Sequence, residues 1–509
     1  MHTAVPRLVV WCSLRFDVEG TTFRGVTMTC RNFRWLGFAL FASGGAGLLS
    51  LTSIMNSAFA YGAPVDTDPA VPFEVMGGSG LPTPSTELID EAQALYFPST
   101  ALFPGQPTFP DVDPAALTTP EQFFPVTGVN QLPLDTSVAE GVTILNDTIA
   151  PQLAAGDPVD IFGASQSAVI ASLEMEQLEE TNPSANATFV LAGDLMNPNG
   201  GIFERFDGLD LSSLGIDFYG ATPADDFTTT IYTLEYDGYA DFPRYPLDIF
   251  SDLNAIEGIN VVHPEYLDLT TADLATAIEL PTSGATDTTY YLIPVDDLPL
   301  LDPVRDIPVI GNPIADLLQP DLTYLVNLGY GDPLYGYSTD AANEATTFGL
   351  FPDLSDIEMM PGLLLSGAEQ GIEDFIGDFT GTGPNPVELS LTSLIDSPSG
   401  TTSSLPDIGA ELESLASNPA GTLTDFANTI SSDLQTAYST LLPTADTLND
   451  LLTSLPAYDA SLFLDNLSDP VQAIGLPIAA DLGIGIYLGN YEADVLATAA
   501  ETILNSFTP

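Results

Sequence analysis

Short apolar runs and a longer helical spacing alternate along this chain, and each predicts a kind of element. Short runs with apolar, β-branched and aromatic side chains mark strands at Val71 to Met76, Pro158 to Phe162, Thr188 to Ala192, Thr228 to Leu234 and Thr288 to Ile293. Ile259-Asn260-Val261-Val262 reads as a further short extended piece leading into His263. Helical spacing starts at Ser137, where Val138, Val142, Leu145 and Ile149 share one face before Gly156 and Pro158 end it. Ser167 to Leu178 is the next helix. Strands alternating with helices predict βαβ units, and hence an α/β fold with a mostly parallel central sheet covered on both faces. The proline-dense stretch from Phe97 to Pro133 lacks a period and is expected to be ordered loop.

Beyond about residue 355 the strand signals fade. Ser, Thr, Leu, Ala and Asp dominate, with helix-like stretches at Ile408–Ala416, Leu423–Leu442 and Ala493–Ile503. Residues 356–509 therefore read as a mainly helical appendage without a catalytic motif, acting as a lid or surface-docking module or as a packing domain. The hydrolase-like region spans 61–355.

Residues 1–60 differ in kind. From Met28 a basic stretch with Arg31 and Arg34 precedes an apolar run from Trp35 to Ile54, then Ala58-Phe59-Ala60. That is the layout of a secretory signal peptide, with cleavage expected after Ala60 and Met28 as the expected true start. An uncleaved anchor is the alternative, since the run is long enough to span a bilayer. Both cysteines, His2 and five of the eight arginines lie in this region. An exported product would keep Arg205, Arg244 and Arg305, no lysine, no cysteine and one histidine, His263. Disulfides, thiolate metal sites and cysteine nucleophiles are thereby excluded from it.

Composition narrows the partners. With 45% apolar residues the chain can bury a large core, and its formal charge of −62 arises although only 15% of residues are charged. Such a balance excludes nucleic acid, which needs Lys and Arg against its phosphates, and disfavours anionic headgroups. It suits a soluble exported protein, and an acyl ester or lipid substrate with some association to a lipid or envelope surface remains compatible.

One motif suggests chemistry. Gly163-Ala164-Ser165-Gln166-Ser167 falls between a predicted strand and a predicted helix, where a sharp turn projects a serine hydroxyl above the sheet edge and small residues two positions away permit close packing. Ser167 stands where glycine is usual, and Ser165 could equally cap the helix. A serine hydroxyl needs a base, and an imidazole oriented by a carboxylate is the common solution. His263 follows Ser165, as the Ser, acid, His order requires. For the acid, Asp241 is favoured, with Asp237 second and Asp194 third, because loops at strand carboxyl ends place such groups. The oxyanion donors are expected to be the Gln166 backbone N–H and Ser79, through its amide or hydroxyl, in Gly77-Gly78-Ser79-Gly80. No metal or organic cofactor is implied.

These residues carry a resemblance. From about Val71 to Pro352 the chain resembles the PE-PPE domain family, through GGSGLPTPS at 77–85, FGASQSA at 162–168, GDLMNPNGGIFERF at 193–206, FYGATP at 218–223, EYDGYADFPRYP at 235–246, LNAIEGINVVHPEY at 253–266 and NLGYGDPLYGYS at 327–338. The resemblance implies an α/β-hydrolase fold with esterase or lipase-like activity and Ser165 as nucleophile in a GxSxS variant of the motif. Asp241-Phe242-Pro243 and His263-Pro264-Glu265-Tyr266 are also similar to the aspartate and histidine regions of cutinases. The short PE and PPE segments that name the family are not recognised here, so roles tied to them are not expected. The resulting expectation is hydrolysis of carboxylic esters through an acyl-enzyme, with acyl transfer to a sugar or lipid alcohol, or non-catalytic envelope binding, as alternatives.

Overall fold

The computed structural model describes residues 10–19, 22–32, 71–110, 112–386 and 419–506. Two units separate, Met1–Asp68 and Pro69–Pro509. In the first, Val10–Glu19 pairs antiparallel with Thr22–Asn32. The expected signal run from Trp35 to Ile54, its cleavage site and the helix expected at Ile408–Ala416 lie outside the described residues.

The second unit is built on a seven-stranded sheet. Its strands are β1 (Val71–Val75), β2 (Val112–Ala116), β3 (Val159–Ala164), β4 (Ala187–Ala192), β5 (Thr228–Leu234), β6 (Ile278–Glu279) and β7 (Thr288–Ile293), in the spatial order β6-β7-β5-β4-β3-β1-β2. All neighbours are parallel except the edge pair β6/β7. Strand β3, of sequence VDIFGA, is buried at every position, as a central parallel strand with helices on both faces must be. Alternation then sorts side chains between two cores. Ile161, Phe189, Leu191, Ile231 and Tyr290 enter one; Phe162, Val190, Ala192, Tyr232, Leu234, Tyr291 and Ile293 enter the other.

The first core is covered by α2 (Leu134–Ala155) and α3 (Gln166–Thr181), the second by α1 (Thr86–Tyr96). Helix α2 ends where Gly156 takes a left-handed φ of 84°, which costs a glycine little. Two local expectations fail. Val112–Ala116, inside the supposed loop, is strand β2, an exposed edge where Pro114 is tolerated because one side of the strand has no ladder to feed. Ile259 to Val262 is not extended: it ends α4 (Ile249–Val261), started by Asp248, whose carboxylate accepts from the Phe250 N–H. Buried Ser251, Ala255, Ile256 and Ile259 recur with helical period, and that packing overrides the β-branched tail.

After α5 (Gly311–Leu328) come α6 (Leu354–Thr380), α7 (Pro419–Ser439), α8 (Leu441–Leu452), α9 (Ser454–Asp465) and α10 (Pro470–Ser506). The region is helical where described. Helix α10 is long and apolar enough to span a membrane, yet one side of it, with Ala479, Ala480, Ile484, Tyr487, Leu488, Tyr491 and Val495, is part of the first core.

The chain runs outward from β1 to β2, then returns to β3 and proceeds the other way. A topological switch point therefore lies between β1 and β3, and the loops leaving their carboxyl ends border a crevice there.

Candidate active site

Ser165 sits where β3 turns into α3, with φ 57° and ψ −120°. A non-glycine residue held there is strained, and the surroundings hold it. Its N–H donates to the Ala192 carbonyl on the neighbouring strand at 3.0 Å. Gly163 is obligatory, since a Cβ there would stand 2.4 Å from the Ser167 carbonyl oxygen. Ser167, the departure from the usual glycine, folds its hydroxyl back onto the turn, accepting from the Ala164 N–H at 2.8 Å and donating to the Ala164 carbonyl at 3.1 Å. The motif tolerates serine because both polar functions of the hydroxyl are used inside the turn.

His263 opens a 3-10 turn, His263–Leu267, directly after α4. Its Nε2 lies 2.8 Å from Ser165 Oγ. Its Nδ1 lies 2.8 and 3.0 Å from the two carboxylate oxygens of Asp237, a fully buried residue in the loop after β5. An ionised carboxylate can only accept, so Nδ1 carries the proton and the Nε2 lone pair faces the serine hydroxyl. Asp237 also accepts from the Tyr266 hydroxyl at 2.7 Å and the Tyr239 N–H at 2.9 Å. Residues three apart on a 3-10 turn share a side, which is why His263 and Tyr266 both reach Asp237. Tyr266 is anchored in turn: its hydroxyl accepts from the Leu234 N–H at 2.9 Å, and its carbonyl accepts from the Tyr96 hydroxyl at 2.6 Å.

The loop after β1 borders the serine. A Cβ on Gly78 would lie 3.2 Å from Ser165 Cβ and 3.8 Å from its Oγ. The Ser79 hydroxyl is committed, donating to Gln166 Oε1 at 2.9 Å. Gln166 Nε2 donates onward to Ser137 Oγ at 2.7 Å and the Gln122 carbonyl at 3.1 Å. The Gln166 side chain thus braces the glycine loop against α2. Among the described residues neither the Ser79 nor the Gln166 amide donates to a backbone acceptor. Gln166 is also the first residue of α3, where the helix dipole favours negative charge.

The sequence profile of the family described as "PE-PPE domain" matches residues 110–331. A protein named Esterase PE16, from Mycobacterium tuberculosis (strain ATCC 25618 / H37Rv), is 38% identical over 433 residues, covering 81% of this chain and 76% of that protein. This chain belongs to the PE-PPE domain family. From the same strain, an uncharacterized PPE family protein, PPE28, is 43% identical over 447 residues, 85% of this chain and 66% of that one. A protein named SL1278 acyltransferase Chp1 is 26% identical over 283 residues, half of this chain (50%) and 66% of that one. The chain spans 54% to 66% of the length of three relatives that it matches at 42–44% identity.

Within this PE-PPE domain the geometry corrects the preferred acid: Asp237, ranked second, meets the imidazole, and Asp241 does not. Asp241 Oδ2 accepts from the Tyr236 N–H at 3.1 Å, and its N–H donates to the Asp237 carbonyl, so it ties the turn that presents Asp237. Burial, opposed by that N–H bond, pushes the Asp241 carboxyl well above the usual carboxylate range. The reason lies in the turn. Tyr236 takes φ 65°, and Gly238 packs so tightly on α4 that a Cβ would lie 2.0 Å from the Ala255 carbonyl oxygen. This contact brings Asp237 against the helix whose end carries His263. Asp194 is elsewhere, accepting from the Thr222 hydroxyl at 2.6 Å and the Met196 N–H at 3.0 Å. Burial raises its pKa to about 6. Ser165, His263, Gln166 and Ser79 gather as expected, with the Ser79 hydroxyl otherwise engaged. Tyr266 and Tyr239 were not singled out, although both lie inside quoted motifs.

Proposed function

We propose that this PE-PPE protein is a serine ester hydrolase that works through an acyl-enzyme. The observation that carries the reading is the continuous hydrogen-bonded series Ser165 Oγ, His263 Nε2, His263 Nδ1, Asp237, with successive contacts of 2.8 and 2.8 Å. As Ser165 Oγ bonds to the ester carbonyl carbon, its proton passes to His263 Nε2. Asp237 holds the tautomer and stabilises the imidazolium that forms. The oxyanion is received by the Gln166 and Ser79 amides beside the α3 N-terminus. When the tetrahedral adduct collapses, the imidazolium returns its proton to the departing alcohol. Water then attacks the acyl-enzyme, giving its proton to the same imidazole, which passes it to Ser165 Oγ as the acyl–oxygen bond breaks and the acid is released.

A relative named as an esterase supports this class, and one named as an acyltransferase supports a second reading in which an alcohol replaces water in the last step. The chemistry up to the acyl-enzyme is identical. The N-terminal pattern supports export, with cleavage after Ala60. Hydrolysis of p-nitrophenyl esters of increasing chain length tests the proposal. Turnover that disappears in Ser165→Ala is expected, and equal turnover in that variant would refute it.

A further inference from the structure

Helix α10 lies beyond the family match at 110–331, yet it touches both sides of the catalytic group. On the serine side, the Tyr491 hydroxyl donates to the Phe124 carbonyl at 3.1 Å, and its ring lies 6.1 Å from that of Phe123. Phe123 follows Gln122, whose carbonyl accepts from Gln166. On the histidine side, Asn260 Nδ2 donates to Asn490 Oδ1 at 3.4 Å, one turn before His263. Between these points Tyr487, which is 4% exposed, faces Tyr239 edge to face, with ring centres 6.5 Å apart and planes at 72°. Tyr239 is the residue whose ring packs edge to face on His263, at 4.8 Å and 73°.

We propose that Tyr487 is a positioning residue for the hydrolytic reaction, holding the His263 imidazole over Ser165 by pinning Tyr239 behind it. This rests on the reading of Ser165, His263 and Asp237 as the catalytic group. The Asp237 contact restrains one end of the imidazole and leaves the ring able to tilt about it. Tyr239 and Tyr266, each edge to face with the imidazole at ring-centre distances of 4.8 and 6.0 Å, limit that tilt. Tyr266 is fixed by its own hydrogen bonds. Tyr239 is only partly buried and follows Gly238 in a turn, so its ring needs support from outside the loop, and Tyr487 supplies it. The penalty for losing that support is in the rate of proton transfer, because a displacement of about 1 Å in a reacting group costs up to ~100-fold. Ester binding is untouched.

The test uses the full chain. Active serine is titrated with a fluorophosphonate, and kcat and KM for p-nitrophenyl butyrate are expressed per titrated serine, which removes any difference in folded yield. Tyr487→Ala is expected to lower kcat about tenfold with KM within about twofold. Tyr487→Phe, which keeps the ring, is expected to stay within about twofold of wild type. Tyr239→Ala combined with Tyr487→Ala should be no slower than Tyr239→Ala alone, as expected for two residues acting in series. Wild-type kcat per titrated serine in Tyr487→Ala, at whatever yield, overturns the inference, as do losses that multiply in the double variant. Should Tyr487→Ala give no folded protein, Tyr487→Leu replaces it with the same expectations. Failure of the wild-type protein to react at Ser165 would count against the catalytic reading, a result distinct from these.

Discussion

Replacing Asp237 by asparagine changes one atom's chemistry at a site whose partners are fixed. The carboxylate receives the Tyr239 N–H and the Tyr266 hydroxyl as well as the imidazole. The Tyr239 N–H meets Oδ1 and the Tyr266 hydroxyl meets Oδ2. An amide would therefore keep its oxygen toward the Tyr239 N–H and place its NH2 at the Oδ2 position, 2.8 Å from His263 Nδ1, with the Tyr266 hydroxyl losing its acceptor. The imidazole would then have to accept at Nδ1, which leaves the proton on Nε2, facing Ser165 Oγ, where it cannot take the serine's proton. Trapping the wrong tautomer in a serine triad costs about 10⁴ in kcat, or ~5 kcal/mol of transition-state stabilisation. Asp241→Asn is the internal control. Burial already biases that carboxyl toward its neutral form, and the amide oxygen can still accept from the Tyr236 N–H, so kcat should fall less than about tenfold. The assay is kcat for p-nitrophenyl butyrate per titrated serine. The reasoning is refuted if Asp237→Asn retains more than about a tenth of wild-type kcat, or if Asp241→Asn is the slower of the two.

Other perturbations follow from the same contacts. Gly163→Ala forces a Cβ onto the Ser167 backbone at 2.4 Å, so it should abolish turnover and lower Tm, measured by calorimetry. Ser167→Gly leaves the buried Ala164 N–H without the hydroxyl it meets at 2.8 Å, and denaturant unfolding should give a loss of about 1–3 kcal/mol. Burial raises Glu121 to about 8, Glu174 to about 7 and Asp160 to about 6. The folded state holds these protons more tightly than the unfolded chain, so their contribution is full below the unfolded carboxylate range and is lost as pH rises toward 8. Stability should therefore decline from about pH 5 to pH 8, and Glu121→Gln should reduce the slope by up to ~1.4 kcal/mol per pH unit. An unchanged slope in that variant contradicts the burial argument.

Sequence pattern reveals most where local preference and packing agree. The runs TTTIYTL and TTYYLI are strands over the residues expected, because β-branched and aromatic side chains suit a sheet buried on both faces. The serine turn was legible because its constraints are local: Gly163 for the close approach and a strand and helix on either side. The end of α4 was not, since Val261 and Val262 favour strands and only packing of the helix's earlier residues decides. The choice of acid was also hidden. Asp237 and Asp241 share one turn, and what separates them is the contact of Gly238 with the Ala255 carbonyl, a meeting of distant segments. Tyr487 is further removed still, 224 positions after His263 in a region without motifs.

The most direct measurement is covalent labelling of the intact protein with a fluorophosphonate, followed by peptide mapping. Attachment of one label per chain is predicted, on Ser165, at a rate that collapses in both His263→Ala and Asp237→Asn. Attachment at another serine, or labelling of Ser165 that is indifferent to loss of the imidazole, would contradict the account.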